Sequence, residues 1–364
     1  MTAELAPSAL DREELAELRA TVREAATEAG YPAGVRALEG ADGLDPALWT
    51  LLAQEIGLGG VGLPESAGGI GALAEVLAVA EELGAVLAPV PFVSSTVLAG
   101  QVLAACGDTG LPFVERVASG EIAGPALTDT AGRYTPEGVT CTTDGATVSG
   151  TVRFVPFGAQ AALFVVAARA ADGLGVYVVE SADATVSPLA PLDFSRPVAT
   201  VTFDAASAVC VAAPGAAGDV ALRHGVDIAL LATAADQLGG AQACFDMTLG
   251  YITLRRQFNR EIGSFQAIKH RMADALALVE MARSGLERVT WEARETLSLD
   301  AAVAKAWASE AYLKVAAETV QLHGGVGFTW EHDAHLYVRR ARYDDAFLGN
   351  ATFQRERIAT LLQW

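Results

Sequence analysis

The chain has 364 residues, 52% of them hydrophobic, and a formal net charge of −19. This length exceeds the roughly 250–300 residues that one core usually serves, so two or three packed regions are expected. The charge disfavours nucleic acid and anionic membranes as partners, because both are bound through clustered Lys and Arg.

Two further classes are disfavoured by local sequence. No apolar run reaches the roughly 18 residues of a membrane span, and the acidic N-terminal stretch MTAELAPSALDREELAELRA lacks the features of a signal peptide, so we expect a cytoplasmic protein. Cysteines occur without a CxxC pair or a histidine at zinc spacing, so no metal site is expected; they are Cys106, Cys141, Cys210 and Cys244.

The predicted elements fall into three regions. Residues 1–119 have helical periodicity, with Asp45 and Pro46 as an N-cap and first helical position. Residues 120–214 carry short Val- and Thr-rich runs, which predict a small antiparallel β domain with a tight turn at Asp144-Gly145. Residues 215–364 return to long apolar helices, which predict a C-terminal four-helix bundle.

Two segments of the bundle are candidates for binding an anion. LRRQFNREIGSFQ places Arg255 and Phe258 where the long helix should end, with Ser264 as the expected N-cap of the next helix. The arginines either complement the helix dipole or hold a diphosphate. QLHGGVGF (321–328) has three glycines where one would end a helix, so they either cap it or clear the backbone for a large ligand.

These segments, in this order, resemble the acyl-CoA dehydrogenase family of flavoenzymes. RRQF-x4-GSFQAIKHRMAD resembles the family's R-x-x-F-G…Q-x-I-x-x-x-L-A-[DE] segment, with Asn259 in place of its glycine and Met272 in place of its leucine. ETVQLHGGVGFTWE resembles its A-x-Q-[IL]-x-GG-x-G-[FY]-x-x-E segment. The helix, sheet, helix order agrees with that fold along the whole chain.

The resemblance implies an FAD at a subunit interface and an acyl-CoA thioester as substrate. It implies a homo- or hetero-oligomer, with a dimer or tetramer as the family's forms, and an electron-transferring flavoprotein as the electron acceptor by analogy. Arg255, Phe258 and Gln266 would meet the ADP part of the cofactor from one subunit, and the glycine segment would reach it from the neighbour. The remaining candidate contacts by matched position are Gln321, Gly324, Gly325, Thr128, Asn350 and Thr352.

The middle region departs from the family pattern. Thr128 and Thr130 stand where the family has T-E-P-x-A-G-S-D. FVPFG (154–158) stands where it has W-[IV]-T-N-G, and Pro156 occupies the place of the threonine that bonds the flavin ring. Proline has no N–H to donate, so flavin contacts through this strand are expected to be altered or absent.

The family's catalytic base is missing from both of its usual places. The Glu before the last helix is matched by Leu348, and the alternative Glu on the long helix is matched by Ala229. Neither side chain can accept a proton. Asp236 and Asp345 are the candidate replacements, since Asp236 lies two helical turns after Ala229 and Asp345 three residues before Leu348.

Four functions therefore stay open at this point. The chain is an FAD-dependent acyl-CoA dehydrogenase with a displaced aspartate base, or a non-catalytic subunit that completes the FAD site of a heteromeric one. The third alternative is other flavin chemistry, as in an oxidase or monooxygenase, and the fourth is a binding module without flavin. Small residues on the long helix either leave room for a bulky acyl group or allow close helix packing; they are Ala232, Ala235, Gly239 and Gly240.

Overall fold

A computed structural model describes residues 8–291 and 296–364. The N-terminal region is helical, as predicted, although residues 1–7 of the predicted domain lie outside the described part. Asp45 is the N-cap of a helix that begins at Pro46, and its carboxylate accepts a hydrogen bond from the Leu48 amide at 2.9 Å. The helices are α1 Arg12–Glu28, α2 Pro46–Thr50, α3 Leu73–Ala85, α4 Gly100–Ala105 and α5 Leu111–Ala118.

The middle region is a sheet with the strand order β6-β7-β3-β2-β4-β5-β8, with β1 paired to β4. Most pairs are antiparallel, but β1 and β2 both run parallel to β4, so the sheet is mixed rather than purely antiparallel as predicted. The strands are β1 Ala123–Ala126, β2 Thr142–Thr143, β3 Thr147–Pro156, β4 Leu163–Ala170, β5 Gly173–Glu180, β6 Ala184–Leu189, β7 Val198–Ser207 and β8 Val209–Ala212.

The predicted turn between β2 and β3 is present, but it has three residues rather than two. Asp144 accepts hydrogen bonds from the amides of Ala146 and Thr147, and Gly145 has a positive φ of 98°. The predicted boundaries at residues 119/120 and 214/215 lie just outside β1 and β8. They remain our proposal for how the chain divides into domains.

The C-terminal region consists of long helices that pack around α8. They are α6 Ala216–Leu254, α7 Gln266–Trp291, α8 Leu297–His323, α9 Ala334–Ala346 and α10 Ala351–Leu361, with a hairpin of β9 Arg256–Gln257 and β10 Arg260–Glu261 between α6 and α7. α8 contacts α6, α7, α9 and α10. Within the described residues, no helix is long and apolar enough to cross a membrane.

The small residues of α6 serve close helix packing at the two glycines. A Cβ added to Gly239 would lie 1.9 Å from the Glu81 carbonyl oxygen of α3, and one added to Gly240 would lie 2.3 Å from the Tyr312 ring of α8. Gly84 of α3 meets the backbone of Asp236 in the same way, at 2.2 Å. These contacts leave no room for a ligand, so close packing explains the glycines at 239 and 240.

Candidate functional site

The ends of α6 and α8 lie side by side in the same chain. The Tyr251 ring stacks on His323 with ring centroids 4.2 Å apart, and its hydroxyl donates to the His323 carbonyl at 3.3 Å. Arg255 follows Tyr251 by one turn, and Gly324 follows His323 directly. A single chain therefore brings both predicted anion-binding segments to one end of the bundle, which revises the expectation that they come from different subunits.

Arg255 and Phe258 are both presented to solvent at this end. The Arg255 guanidinium makes no hydrogen bond or ion pair with any residue in the described ranges, whereas Arg256 donates to the Asn259 carbonyl at 3.0 Å. Phe258 is 86% exposed and has a φ of 52° in the turn of the β9–β10 hairpin. An exposed, unpaired guanidinium beside an exposed aromatic ring is suited to binding an anionic group with a planar base.

The start of α7 differs from the prediction. Ser264 ends a short 3₁₀ turn, and its hydroxyl donates to the Glu261 carbonyl at 2.6 Å. The predicted N-cap is wrong, because the helix begins at Gln266 and the residue directly before it is Phe265, whose carbonyl accepts from the Lys269 amide at 3.1 Å. The Gln266 amide lies 3.1 Å from His270 Nε2 on the exposed surface.

The three glycines after α8 have three different surroundings. Gly324 has a φ of 62°, which favours glycine at a helix end. Gly327 is packed, because an added Cβ would lie 2.8 Å from the His323 Cβ. Gly325 has ordinary helical angles, φ −55° and ψ −35°, and an added Cβ would meet nothing within 4 Å. Nothing within the described chain requires glycine at position 325. Gln321 is exposed one turn earlier.

A second group of candidates surrounds the end of β3. Thr128 is 8% exposed, and its hydroxyl has no hydrogen-bond partner among the described residues. A Cβ added to Gly132 would lie 3.7 Å from the Phe154 ring, and Arg133 stacks over the Phe353 ring of α10 at 5.5 Å. The loop after β1, the end of β3 and the start of α10 thus form one surface.

The remaining candidates of this group lie at the start of α10. Asn350 is its N-cap and accepts from the Phe353 amide at 3.0 Å, so its side chain already has a structural role. Thr352 is exposed in the first turn. The preceding turn holds Leu348 with a φ of 57° and Gly349 with a φ of 100°.

The two groups of candidates lie at opposite ends of α8. Lys305, about a third of the way along α8, directs its ammonium to the Gly349 carbonyl at 3.5 Å. His323 ends the helix 18 residues later, which corresponds to about 27 Å at about 1.5 Å per residue. In one chain the Arg255 and Gly325 surface and the Thr128 and Asn350 surface are thus well separated.

Neither place for the family's base holds a titratable group. Ala229 and Leu348 are fully buried and apolar. Asp236 is buried between two guanidiniums, 2.8 Å from Arg196 and 3.2 Å from Arg340. Both ion pairs would have to break before Asp236 could approach a substrate, and its assignment as a base stays a prediction from sequence position.

Asp345 has no better claim to the role of base. It is partly buried, and its carboxylate accepts only a long hydrogen bond of 3.4 Å from the Ala351 amide within the described chain. Its assignment as a base stays a prediction that rests on sequence position.

Asp236 belongs to a buried arginine–aspartate cluster that also includes Asp193, Ser195, Arg196 and Arg340. Arg340 is completely buried and donates to Asp193 at 2.6 Å and to the Ser195 hydroxyl at 2.7 Å. Arg196 also donates to the Ala88 carbonyl at 2.8 Å. The cluster joins the N-terminal helices, the segment between β6 and β7, α6 and α9.

The cluster keeps its charges when buried. Burial acts to lower the pKa of Arg340, but Asp193 and Asp236 outweigh that effect and raise it above its ordinary value. Burial acts to raise the pKa of Asp193, but Arg340, Arg196 and Ser195 outweigh that effect and hold it below the usual range. These residues are therefore ion pairs at neutral pH.

A small cavity lies beside Thr233 and Asp236 of α6, next to Phe157 of the FVPFG segment and to the end of α9. It is lined by side chains of α6, α9, β3 and their neighbours, including Phe157, Arg196, Thr233, Tyr343, Asp344 and Phe347. Its volume is about 10 Å³, which suffices for about one water molecule. The aromatic rings and the cluster thus leave little free space around Thr233 and Asp236.

Asp344 is the residue of this cavity that sequence reasoning missed. It is buried, and its Oδ2 has no hydrogen-bond partner among the described residues. Burial and the neighbouring Asp236 raise its pKa well above the usual range, against the opposing effect of Arg340 and Arg196. Lys305 lies nearby, and burial lowers its pKa to about 8. Asp344 is thus a buried carboxyl group whose neutral form is favoured by its surroundings.

Replacing Asp344 by asparagine is expected to stabilise the chain increasingly as pH rises. The folded pKa of Asp344 is raised, so the wild-type chain loses stability from this group as pH rises above about 4, where the unfolded carboxyl ionises. The difference should grow by up to about 1.4 kcal/mol per pH unit until the folded group ionises. Urea unfolding at pH 5.5 and 8.0 measures it, and a variant no more stable at pH 8.0 than at 5.5, relative to wild type, would contradict the assignment.

Comparison with known proteins places these features in a family. The family profile "Acyl-CoA dehydrogenase, N-terminal domain" matches residues 12–120, and "Acyl-CoA dehydrogenase, C-terminal domain" matches residues 220–362. The chain is 36% identical to acyl-CoA dehydrogenase IpdE2 of Mycolicibacterium smegmatis, over 94% of this chain and 96% of that protein.

Two similar solved structures are named after two chains each. A chain of the ChsE4-ChsE5 complex from Mycobacterium tuberculosis has a TM-score of 0.86 and 31% identity, with coverage of 97% of this chain and 98% of that one. A chain of a variant of the Tcur3481-Tcur3483 steroid ACAD has the same TM-score of 0.86 and 31% identity, with coverage of 96% and 98%.

Proposed function

The chain belongs to the acyl-CoA dehydrogenase family, and from this premise we propose that it is a subunit of a heteromeric acyl-CoA dehydrogenase that completes the FAD site without supplying the catalytic base. A partner chain of the same family would bind the acyl-CoA and carry the base. The two-chain complexes among the similar structures support this form of assembly.

One observation carries the proposal: both positions at which the family carries its base are apolar in this chain, and the candidate replacement on α6, Asp236, is held by two arginines. Family chemistry needs a carboxylate within hydrogen-bond reach of the carbon next to the thioester. Here Ala229 and Leu348 are apolar, Asp236 is paired, and the cavity that Asp236 lines has a volume of about 10 Å³. A working enzyme with Asp236 as base would first have to break two buried ion pairs.

The residues present fit an FAD that is shared between chains. The unpaired Arg255 guanidinium suits a diphosphate, the bare surface of Gly325 admits close approach, and the buried Thr128 hydroxyl lacks a partner within the described chain. The Arg255 and Gly325 surface lies about 27 Å from the Thr128 and Asn350 surface along α8. That separation supports two chains, each contributing one surface to one cofactor.

This chain's part in the reaction would be binding and positioning. FAD, when bound, supplies the hydride acceptor for desaturation of the acyl group. Arg255 would neutralise diphosphate charge, and Phe258 and the glycine loop would hold the adenosine end. An electron-transferring flavoprotein is proposed as the acceptor, by family resemblance.

The substrate class is proposed from the likeness to the two complexes. One of them is titled a steroid ACAD, so we propose a bulky polycyclic acyl-CoA as the substrate of the assembly. The glycines of α6 give no support to this choice, because packing against α3 and α8 explains them. A panel of straight-chain and polycyclic acyl-CoA thioesters, assayed with the assembled complex, tests it.

Co-purification tests the function itself. The chain should show a yellow flavin spectrum and dehydrogenase activity only with a second family chain encoded nearby, and native mass measurement should show both chains. A fully active homo-oligomer would instead support a working enzyme with its own base. Turnover with oxygen would support oxidase or monooxygenase chemistry, and a chain that binds no flavin with any partner would support a flavin-free binding module.

Replacing Gly325 by alanine is expected to weaken FAD binding without destabilising the chain. The backbone angles suit alanine, so the free energy of unfolding should stay equal or rise by about 0.4–1 kcal/mol. A methyl group beneath a tightly placed cofactor should cost about 1–3 kcal/mol of affinity, which is about fivefold or more in Kd.

Gly285 of α7 is the matched control, because an added Cβ there also meets nothing within 4 Å. Gly285→Ala should raise stability by about 1 kcal/mol and leave the Kd for FAD unchanged. Flavin fluorescence titration of the complex measures the Kd. Equal affinity of Gly325→Ala and wild type would count against a cofactor on this loop.

A further inference from the structure

The glycine-rich connection between α8 and α9 has little packing of its own. Its backbone hydrogen bonds are local turns, such as Gly327 to Gly324 at 3.1 Å and Phe328 to Gly325 at 3.3 Å. Phe328 is 86% exposed, and Val326 is also exposed. A segment with so few buried contacts should open locally at low free-energy cost unless other parts of the chain hold it.

Arg36, almost 300 residues earlier in the chain, contacts this connection from the N-terminal region. Its Nε donates to the Trp330 carbonyl at 2.6 Å, and its Nη2 donates to the Glu331 carbonyl at 2.9 Å and to the Asp333 carboxylate at 2.5 Å. Its Nη1 donates to the Ala33 carbonyl at 3.1 Å within its own turn. One planar guanidinium thus fixes three acceptors of the loop and its own turn, which a lysine could not do.

The other side of the loop is held by the middle region and by α9. The Trp330 ring stacks on His335 with centroids 4.8 Å apart and meets Phe194 edge-on at 6.1 Å. Arg339 stacks over Phe194 at 4.6 Å and donates to the Leu192 carbonyl at 3.0 Å. These contacts hold the ring of Trp330, whereas Arg36 holds the backbone of the loop.

We propose that Arg36 is a positioning residue that fixes the 324–333 loop in the shape that receives the cofactor. The inference rests on the proposed function, in which this loop contacts FAD bound between two chains. Without Arg36, the loop would become ordered only when FAD binds. The conformational entropy lost in that step would lower the apparent affinity for FAD. The residue would act on cofactor affinity from a distance, through the backbone at positions 330 and 331.

Hydrogen exchange on the isolated chain tests whether Arg36 holds the 324–333 loop in place. In Arg36→Ala, the amides of residues 324–333 should exchange at least about tenfold faster, while those of α6 keep their wild-type rates. Arg116→Ala is the matched control. Arg116 also belongs to the N-terminal region and pairs with a residue of the middle region, Glu180, at 2.6 Å, and both residues are far from the loop in sequence. Arg116→Ala should leave the loop amides unchanged. Unchanged loop exchange in Arg36→Ala, or an equal rise throughout the chain, would overturn the proposal.

Flavin titration of the assembled complex tests the consequence. Arg36→Ala should weaken FAD binding by about tenfold or more, and Arg36→Lys should not restore it. Asp333→Asn keeps the two carbonyl contacts, so it should weaken binding less, and it carries the comparison if Arg36→Ala does not fold. Wild-type affinity in both variants would overturn the proposal. A wild-type complex that binds no FAD would overturn both the proposed function and this effect of Arg36 on FAD affinity. The hydrogen-exchange result tests separately whether Arg36 orders the loop.

Discussion

Replacing Arg340 by methionine is expected to cost about 3–5 kcal/mol of stability, since it leaves two buried carboxylates without their shared partner. Arg340 is completely buried and bonds Asp193 at 2.6 Å and Asp236 at 3.2 Å. Arg196 alone would then balance both carboxylates, one of which it contacts at 2.8 Å. Urea unfolding at pH 7 measures the loss.

The matched control for this prediction is Arg116→Met. Arg116 also bonds two carboxylates, Glu121 at 2.8 Å and Glu180 at 2.6 Å, but all three side chains are substantially exposed. Exposed pairs are worth about 0–1 kcal/mol, so its loss should be small. Equal losses in the two variants would show that burial of the cluster does not set its energy. Activity should follow the folded fraction in both, because neither residue is placed at the reacting atoms.

Replacing Leu348 by glutamate is expected to add no dehydrogenase activity, either to this chain alone or to its flavin-loaded complex with the partner chain. A positioned general base is worth about 10²- to 10⁴-fold, so a gain of that size would appear if the base were the only missing part. The cavity beside position 348 is about 10 Å³, and the rings of Tyr343 and Phe347 line it, so an acyl group cannot reach the new carboxylate. A buried carboxylate without a partner should also destabilise the chain.

Leu348→Gln separates the new charge from the new shape. Glutamine has about the same volume and polarity as glutamate, but it cannot act as a base. We expect neither variant to add turnover of acyl-CoA thioesters. Glutamate should be less stable than glutamine at pH 8, where ionisation is favoured in the unfolded chain. Turnover of Leu348→Glu at least about a hundredfold above Leu348→Gln would contradict the filled cavity.

The fold could be predicted from the sequence, and the two candidate anion-binding segments are recognisable in it, but the cluster could not be predicted. Arg255 and the glycines of 324–327 stand in short motifs whose spacing is local, and the helical period of α6 is visible over many residues. Arg196 and Arg340 lie in polar stretches, SRP and VRRARYDD, that have the pattern of solvated segments. Their burial depends on contacts between residues more than 100 positions apart, which local periodicity does not report.

The same limit of local sequence patterns applies to the surroundings of Asp236. Counting along α6 placed it near the face of Ala229, and that face does point toward the cavity, since Thr233 and Asp236 both line it. The sequence could not show that two arginines from distant segments would meet the carboxylate there. Asp344, which is adjacent in sequence to the predicted Asp345, is the carboxyl that lines the cavity without a hydrogen-bond partner among the described residues.

The filling of the cavity also limits how the sequence can change over evolution. A base at position 348 would add no turnover while Tyr343 and Phe347 line the cavity. Smaller residues at positions 343 and 347 would expose Arg196 and Asp236 to an unfilled space. Each intermediate sequence would lose stability before it gained any turnover. The packing of Tyr343 and Phe347 against the cluster therefore couples any change of the site at position 348 to the stability of the buried ion pairs.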